Sequence, residues 1–149
     1  MPRLISGFTI NNSGGPIRPY FYATNTTQGS DNIAIGDVVF TNIIANVGNC
    51  YSASTSKFTA PVHGFYMFSS NPGYKQTSND FVVRFALNNT VLTDGVRIIG
   101  GSPNSHSGIS FAGFFTLDPG DTIHLVSENA AFHRNASSVK NWFSGALVA

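Results

Sequence analysis

From Ile109 to Leu125 the chain reads Ile-Ser-Phe-Ala-Gly-Phe-Phe-Thr-Leu-Asp-Pro-Gly-Asp-Thr-Ile-His-Leu. In its first part, Ile109, Phe111, Gly113, Phe115 and Leu117 fall on one side, and Ser110, Ala112, Phe114 and Thr116 on the other. That is the period of two of an extended strand. Asp118-Pro119-Gly120-Asp121 is a turn with a mechanism: Pro119 presets φ at the second position, and Gly120 accepts a positive φ at the third. Ile123 and Leu125 resume the alternation, which places His124 on the side opposite the core as a surface or interface histidine.

The same reading extends outward. Phe81, Val83, Phe85 and Leu87 share a face; Asn88-Asn89 turns the chain, and Val91-Leu92 starts a return strand. Phe143, Gly145 and Leu147 share a face between Trp142 and Val148. Further strands are predicted over Tyr20–Ala23, Val38–Ile44, Lys57–Pro61 and Gly64–Ser69. Helix formers are scarce, and 15 Gly and 7 Pro interrupt the chain at short intervals. The pattern predicts an all-β fold, an antiparallel sandwich or jelly roll of about ten short strands. Gly64-Phe65-Tyr66-Met67-Phe68 is apolar on both faces, so one face should enter the core and the other needs cover, most simply from another copy.

Composition narrows the function. The chain has 149 residues, enough for one domain with a sizeable core. Only 10% of them are charged, against roughly 25% in ordinary soluble domains, and the net charge is +1. This gives no electrostatic case for nucleic acid or for an anionic membrane. No apolar run approaches the ~18–20 residues of a membrane helix. A low-charge surface fits large protein–protein contacts, whose centres are depleted in charge. Nothing assembles an enzyme: there is no Gly-x-Ser-x-Gly elbow, and Asp118 and Asp121 are explained by their turn. His63, His106, His124 and His133 lack metal-ligand spacing, so neither a metal nor a cofactor is expected. The lone Cys50 has no activating base that the sequence can place.

Three segments in order carry a family resemblance. Phe40, Asn46, Tyr51 and Phe58 lead into Gly64-x-Tyr66-x-Phe68. Leu117-x-x-Gly120-Asp121-x-Ile123-x-Leu125 follows, and Phe143-Ser144-Gly145-x-Leu147 closes. This pattern resembles the C1q domain family over about residues 20–149, except that Ser70 stands where the family pattern has an aromatic. The resemblance implies a jelly roll shared with tumour necrosis factor-like proteins, and a homotrimer. Independently of the name, Gly64 suits a close approach or a positive φ at a strand start, and the Tyr66 hydroxyl needs a partner.

Residues 1–19 read as an extended N-terminal arm ahead of a 20–149 domain. Leu4, Ile5, Phe8 and Ile10 are its candidate partner-binding side chains. Tyr74, Lys75 and His106, in polar segments read as loops, are candidate ligand contacts. The function expected is a non-catalytic homotrimeric structural module on a larger assembly, a virion decoration (cement) protein or fibre tip. It would be made in a host cytoplasm and touch neighbouring capsid or fibre proteins. The alternative is a secreted, extracellular recognition module that binds a glycan or a protein receptor.

Overall fold

A computed structural model describes residues 16, 18–25, 36–75, 81–98, 106–108, 110–128 and 141–149. In chain order the strands are β1 (Tyr20–Thr24), β2 (Gly36–Asp37), β3 (Asn42–Val47), β4 (Tyr51–Ser52), β5 (Lys57–Thr59), β6 (Gly64–Asn71), β7 (Gly73–Lys75), β8 (Phe81–Leu87), β9 (Thr90–Ile98), β10 (His106–Gly108), β11 (Phe111–Leu117), β12 (Thr122–Ser127) and β13 (Trp142–Leu147). No helix occurs among the described residues. One sheet has the order β11-β6-β13-β1-β3, and the other β4-β5-β12-β8-β9 with β2 also paired to β12. All pairings are antiparallel. The protein is a two-sheet β-sandwich of the jelly-roll kind.

The core is the aromatic layer between the sheets. Phe21 stacks on Tyr51 with ring centroids 4.4 Å apart and meets Phe143 edge-on at 4.9 Å. Phe58 meets Phe68 edge-on at 4.9 Å. Phe40, Phe81, Phe85, Leu117, Ile123 and Leu125 complete the layer, all fully buried. One glycine makes room for these rings, and another for the end of the chain. A Cβ on Gly145 would lie 2.5 Å from the Phe68 ring and 2.7 Å from that of Phe21. A Cβ on Gly64 would lie 2.4 Å from Leu147 and 2.9 Å from the Ala149 carbonyl, so close approach, not a positive φ, selects glycine there.

The turns follow their chemistry. Asn88 and Asn89 both have positive φ, 49° and 66°, and Leu87 pairs with Thr90. This is the two-residue type I′ loop that matches strand twist. At Asp118–Asp121 the Asp121 N–H donates to the Asp118 carbonyl at 3.0 Å, and Gly120 has φ +96°. That turn does not close a hairpin: β11 pairs with β6 and β12 with β8, so the turn carries the chain from one sheet to the other.

Some elements differ from the sequence reading. The strand predicted over Val38–Ile44 is divided. β2 ends at Asp37, residues 38–41 are irregular, and β3 starts at Asn42. Val38 and Phe40 are both buried, and the Val38 N–H donates to the Leu125 carbonyl. Here the chain passes between the sheets, so its apolar residues mark a crossing. Tyr51–Ser52 forms a short strand that alternation over so few residues cannot reveal. Gly73–Lys75 and His106–Gly108, read as loops, pair as a two-stranded ladder.

Candidate functional site

The five strands β11, β6, β13, β1 and β3 contain no Asp, Glu, Lys or Arg. Alternation along β6 buries Gly64, Tyr66, Phe68 and Ser70, and turns Phe65, Met67, Ser69 and Asn71 outward. Register then aligns apolar side chains across the sheet. Phe114 lies opposite Met67, Met67 opposite Ala146, and Ala146 opposite Tyr20. One row along, Thr116 lies opposite Phe65. Phe65 and Phe114 stack at 5.6 Å with an 11° interplanar angle, and they are 39% and 55% exposed. Met67 at 38% and Tyr20 at 45% continue the patch, and Ile43 and Ile44 on edge strand β3 extend its apolar character. Toward the other end the face becomes polar. Ser69 and Ser144 hydrogen-bond at 3.1 Å, and Tyr22 lies against Trp142.

The other sheet carries the charge. Asp37, Lys57, Arg84, Asp94, Arg97 and His124 all lie on its strands. His124 does point away from the core, but it is not a surface residue: it is 3% exposed. Its Nε2 lies 3.2 Å from Asp37, and Lys57 lies 3.9 Å from the same carboxylate. β2 beside β12 supplies this cover, which the alternation of β12 alone could not show. The His124 Nδ1 has no hydrogen-bond partner among the described residues. Burial holds its pKa below the ordinary 6.5; the Asp37 charge opposes that shift and the Lys57 charge adds to it.

The remaining titratable groups point to structure. Cys50 is buried, and burial pushes its thiol up to about 11, so at neutral pH it is a thiol and a poor nucleophile. Tyr51 is pushed up to about 12 by burial, and its hydroxyl donates to the Phe40 carbonyl at 3.0 Å. The Asn88 amide, and then the Asp118 N–H, hold Asp121 below the ordinary carboxylate value. His63 and Asp118 meet at 2.6 Å on the open surface.

The spaced motif residues build the scaffold. The Asn46 carboxamide oxygen accepts from the Cys50 and Tyr51 N–H groups, and its amide donates to the Tyr51 carbonyl. One side chain thus closes the loop between β3 and β4. Phe40, Tyr51, Phe58, Tyr66, Phe68 and Phe143 lie together in the core. The Tyr66 hydroxyl finds the Val62 carbonyl at 2.8 Å. Ser70, in the place of an aromatic, is buried and donates to the Trp142 carbonyl at 2.6 Å. The β7–β10 ladder brings His106 opposite Lys75 and Ser107 opposite Tyr74. Leu4, Ile5, Phe8 and Ile10 lie outside the described residues. No helix among the described residues is long and apolar enough to cross a membrane.

Comparison with known proteins agrees with this architecture. The globular domain of zebrafish complement 1qA protein superposes with a TM-score of 0.70 at 16% identity, covering 89% of this chain and 98% of that one. Murine APRIL superposes with TM-scores of 0.63 in a crystal structure at pH 8.0 and 0.62 in one at pH 5.0. Their identities to this chain are 14% and 16%, and each covers 89% of this chain and 100% of that one. No curated protein sequence matches the chain. The C1q domain profile matches residues 20–148, nearly the whole chain, and the protein belongs to the C1q domain family.

Proposed function

We propose that the protein is a non-catalytic module that assembles as a homotrimer through the uncharged face of the β11-β6-β13-β1-β3 sheet. The observation that carries this reading is the continuous apolar patch of Phe65, Met67, Phe114 and Tyr20 on strands that hold no charge at all. Full burial of a large apolar side chain contributes about 1.5–3 kcal/mol, and these four are still 38–55% exposed, so each gains part of that when further copies cover the patch. C1q-domain proteins are generally non-enzymatic, and their homologues form homotrimers that bind receptors or ligands.

The trimer presents what its interface leaves free: the charged sheet and the segments at the ends of the sandwich. Family membership supports use as an extracellular recognition module, since C1q-domain proteins are commonly extracellular. The low charge supports a second use, as a knob on a virion capsid or fibre held by the apolar side chains of residues 1–19. Light scattering on the full chain should give about three times 15.9 kDa. Phe65→Asp combined with Phe114→Asp should give a folded monomer. A wild-type monomer at micromolar concentration would sink the trimer. Removal of residues 1–17 that abolishes attachment to a particle selects the virion role; a saturable ligand that the truncated trimer still binds selects recognition.

A further inference from the structure

His124 is sealed against the charged sheet by a strand only two residues long. β12 turns its side chain to the outer face, where a lone strand would leave it in water. β2 supplies the cover: Asp37 pairs with Val126 and Gly36 with Ser127. Beyond Asp37 the Val38 N–H donates to the Leu125 carbonyl at 2.8 Å, the last rung of this pairing. Phe40 is the fixed end, buried in the core with its N–H donated to the Ser56 hydroxyl at 3.0 Å. Residues 36–38 thus form a strap, anchored at one end and held to β12 by a few backbone bonds.

The two ring nitrogens of His124 are not equivalent. Nε2 faces the Asp37 carboxylate at 3.2 Å, so the neutral ring carries its proton there. Nδ1 is shut off from solvent and has no hydrogen-bond partner among the described residues. A second proton must go to Nδ1, where it makes a buried, charged N–H with nothing to accept it. The neighbouring elements do not relieve this. β5 brings Lys57, 3.9 Å from the same carboxylate and bonded to the Asn89 carboxamide, a positive charge that opposes the imidazolium. β8 places Ala86 opposite His124, and Arg84, diagonal to it, is bonded to Glu128. Asp121, ahead of β12, accepts from the Asn88 amide and the Asp118 N–H. The Asp37 carboxylate favours the cation, but it lies at Nε2 and is half exposed. Lifting the strap gives Nδ1 water as its acceptor.

We propose that β2 is a pH-released strap, closed over neutral His124 and lifted from β12 when the ring takes up its second proton at Nδ1. Burial holds the closed ring's pKa below 6.5, in keeping with a closed state that prefers the neutral form. Opening takes up one proton, so the open population rises as the pH falls below about 6.5, by at most about tenfold per pH unit. The strap lies on the sheet opposite the proposed interface, so the test reads the same in a trimer or a monomer. That test is amide hydrogen exchange on the full chain from about pH 7.5 to about pH 5, corrected for the intrinsic pH dependence of exchange. Protection of the Val38 amide should fall about fivefold or more. Protection should hold at Thr59, whose N–H donates to the Cys50 carbonyl beside the far end of β12. In His124→Gln the fall at Val38 should vanish. If His124→Gln does not fold, nitrogen NMR of the native ring decides, with the neutral form expected to carry its proton on Nε2. A neutral ring protonated on Nδ1, equal losses at Val38 and Thr59, or a fall that persists in His124→Gln overturns the proposal.

Discussion

Phe68 touches most of the aromatic layer: Phe21, Phe58, Tyr66, Phe115 and Phe143 all lie against it. Truncation there leaves a cavity whose rigid aromatic walls resist collapse. Phe68→Ala should cost about 3–5 kcal/mol, read from denaturant unfolding. A midpoint unchanged within error would contradict its central place. His124 sets a pH dependence of known sign. In the unfolded chain it takes up a proton near ~6.5, and in the fold burial holds that uptake to lower pH. Its contribution is fully present above about 6.5 and is lost as the pH falls toward the folded value. The stability advantage of the native protein over His124→Gln should therefore shrink on acidification below about 6.5, as followed by melting temperature. Phe68 was legible in the sequence through the spaced motif Gly64-x-Tyr66-x-Phe68; alternation put Tyr66 and Phe68 on one face but, in a stretch apolar on both faces, did not say which face turns inward. The burial of His124 was not, because Asp37 and Lys57 reach it from strands whose neighbours no local pattern names.

The turn at Asn88-Asn89 separates two reasons for choosing a residue. Positive φ at both positions would suit glycine as well as asparagine. Yet the Asn88 carboxamide also accepts from the Thr122 N–H at 2.8 Å and donates to Asp121 at 2.8 Å, tying the hairpin to the turn before β12. Asn88→Gly should therefore destabilise by about 1 kcal/mol although it fits the backbone, whereas Asn89→Gly, which loses only an exposed bond accepted from the Lys57 ammonium, should cost less. Equal melting temperatures for the two variants would refute the tie. This hairpin could be read directly, since two asparagines between alternating runs carry the signal within a few residues. The strands Tyr51–Ser52, Gly73–Lys75 and His106–Gly108 could not, because their pairing depends on partners distant in sequence and they are too short to show a period.

At the scale of the molecule, charge is sorted by sheet. The sequence showed few charges and one two-faced apolar strand. It could not show that the charge-free strands are neighbours, because β1, β6, β11 and β13 come together only through long connections. An interface built from that sheet has little electrostatic content. Raising salt from ~0.05 M to ~1 M, which shortens the Debye length to about 3 Å, should leave the trimer mass unchanged. Dissociation by salt would mean that the copies meet through the charged sheet.

The chain is also tied off where it enters and leaves the sandwich. The Leu147 N–H donates to the Pro19 carbonyl, Arg18 donates to the Val148 carbonyl, and the Phe65 N–H donates to the Ala149 carbonyl. Residues 18 and 148 thus lie within one hydrogen bond of each other. A short flexible linker could join residue 149 back to residue 18, with new termini opened at a distant surface turn. The fold is in this sense nearly a closed ring, with residues 18 and 149 meeting at the same pole of the sandwich.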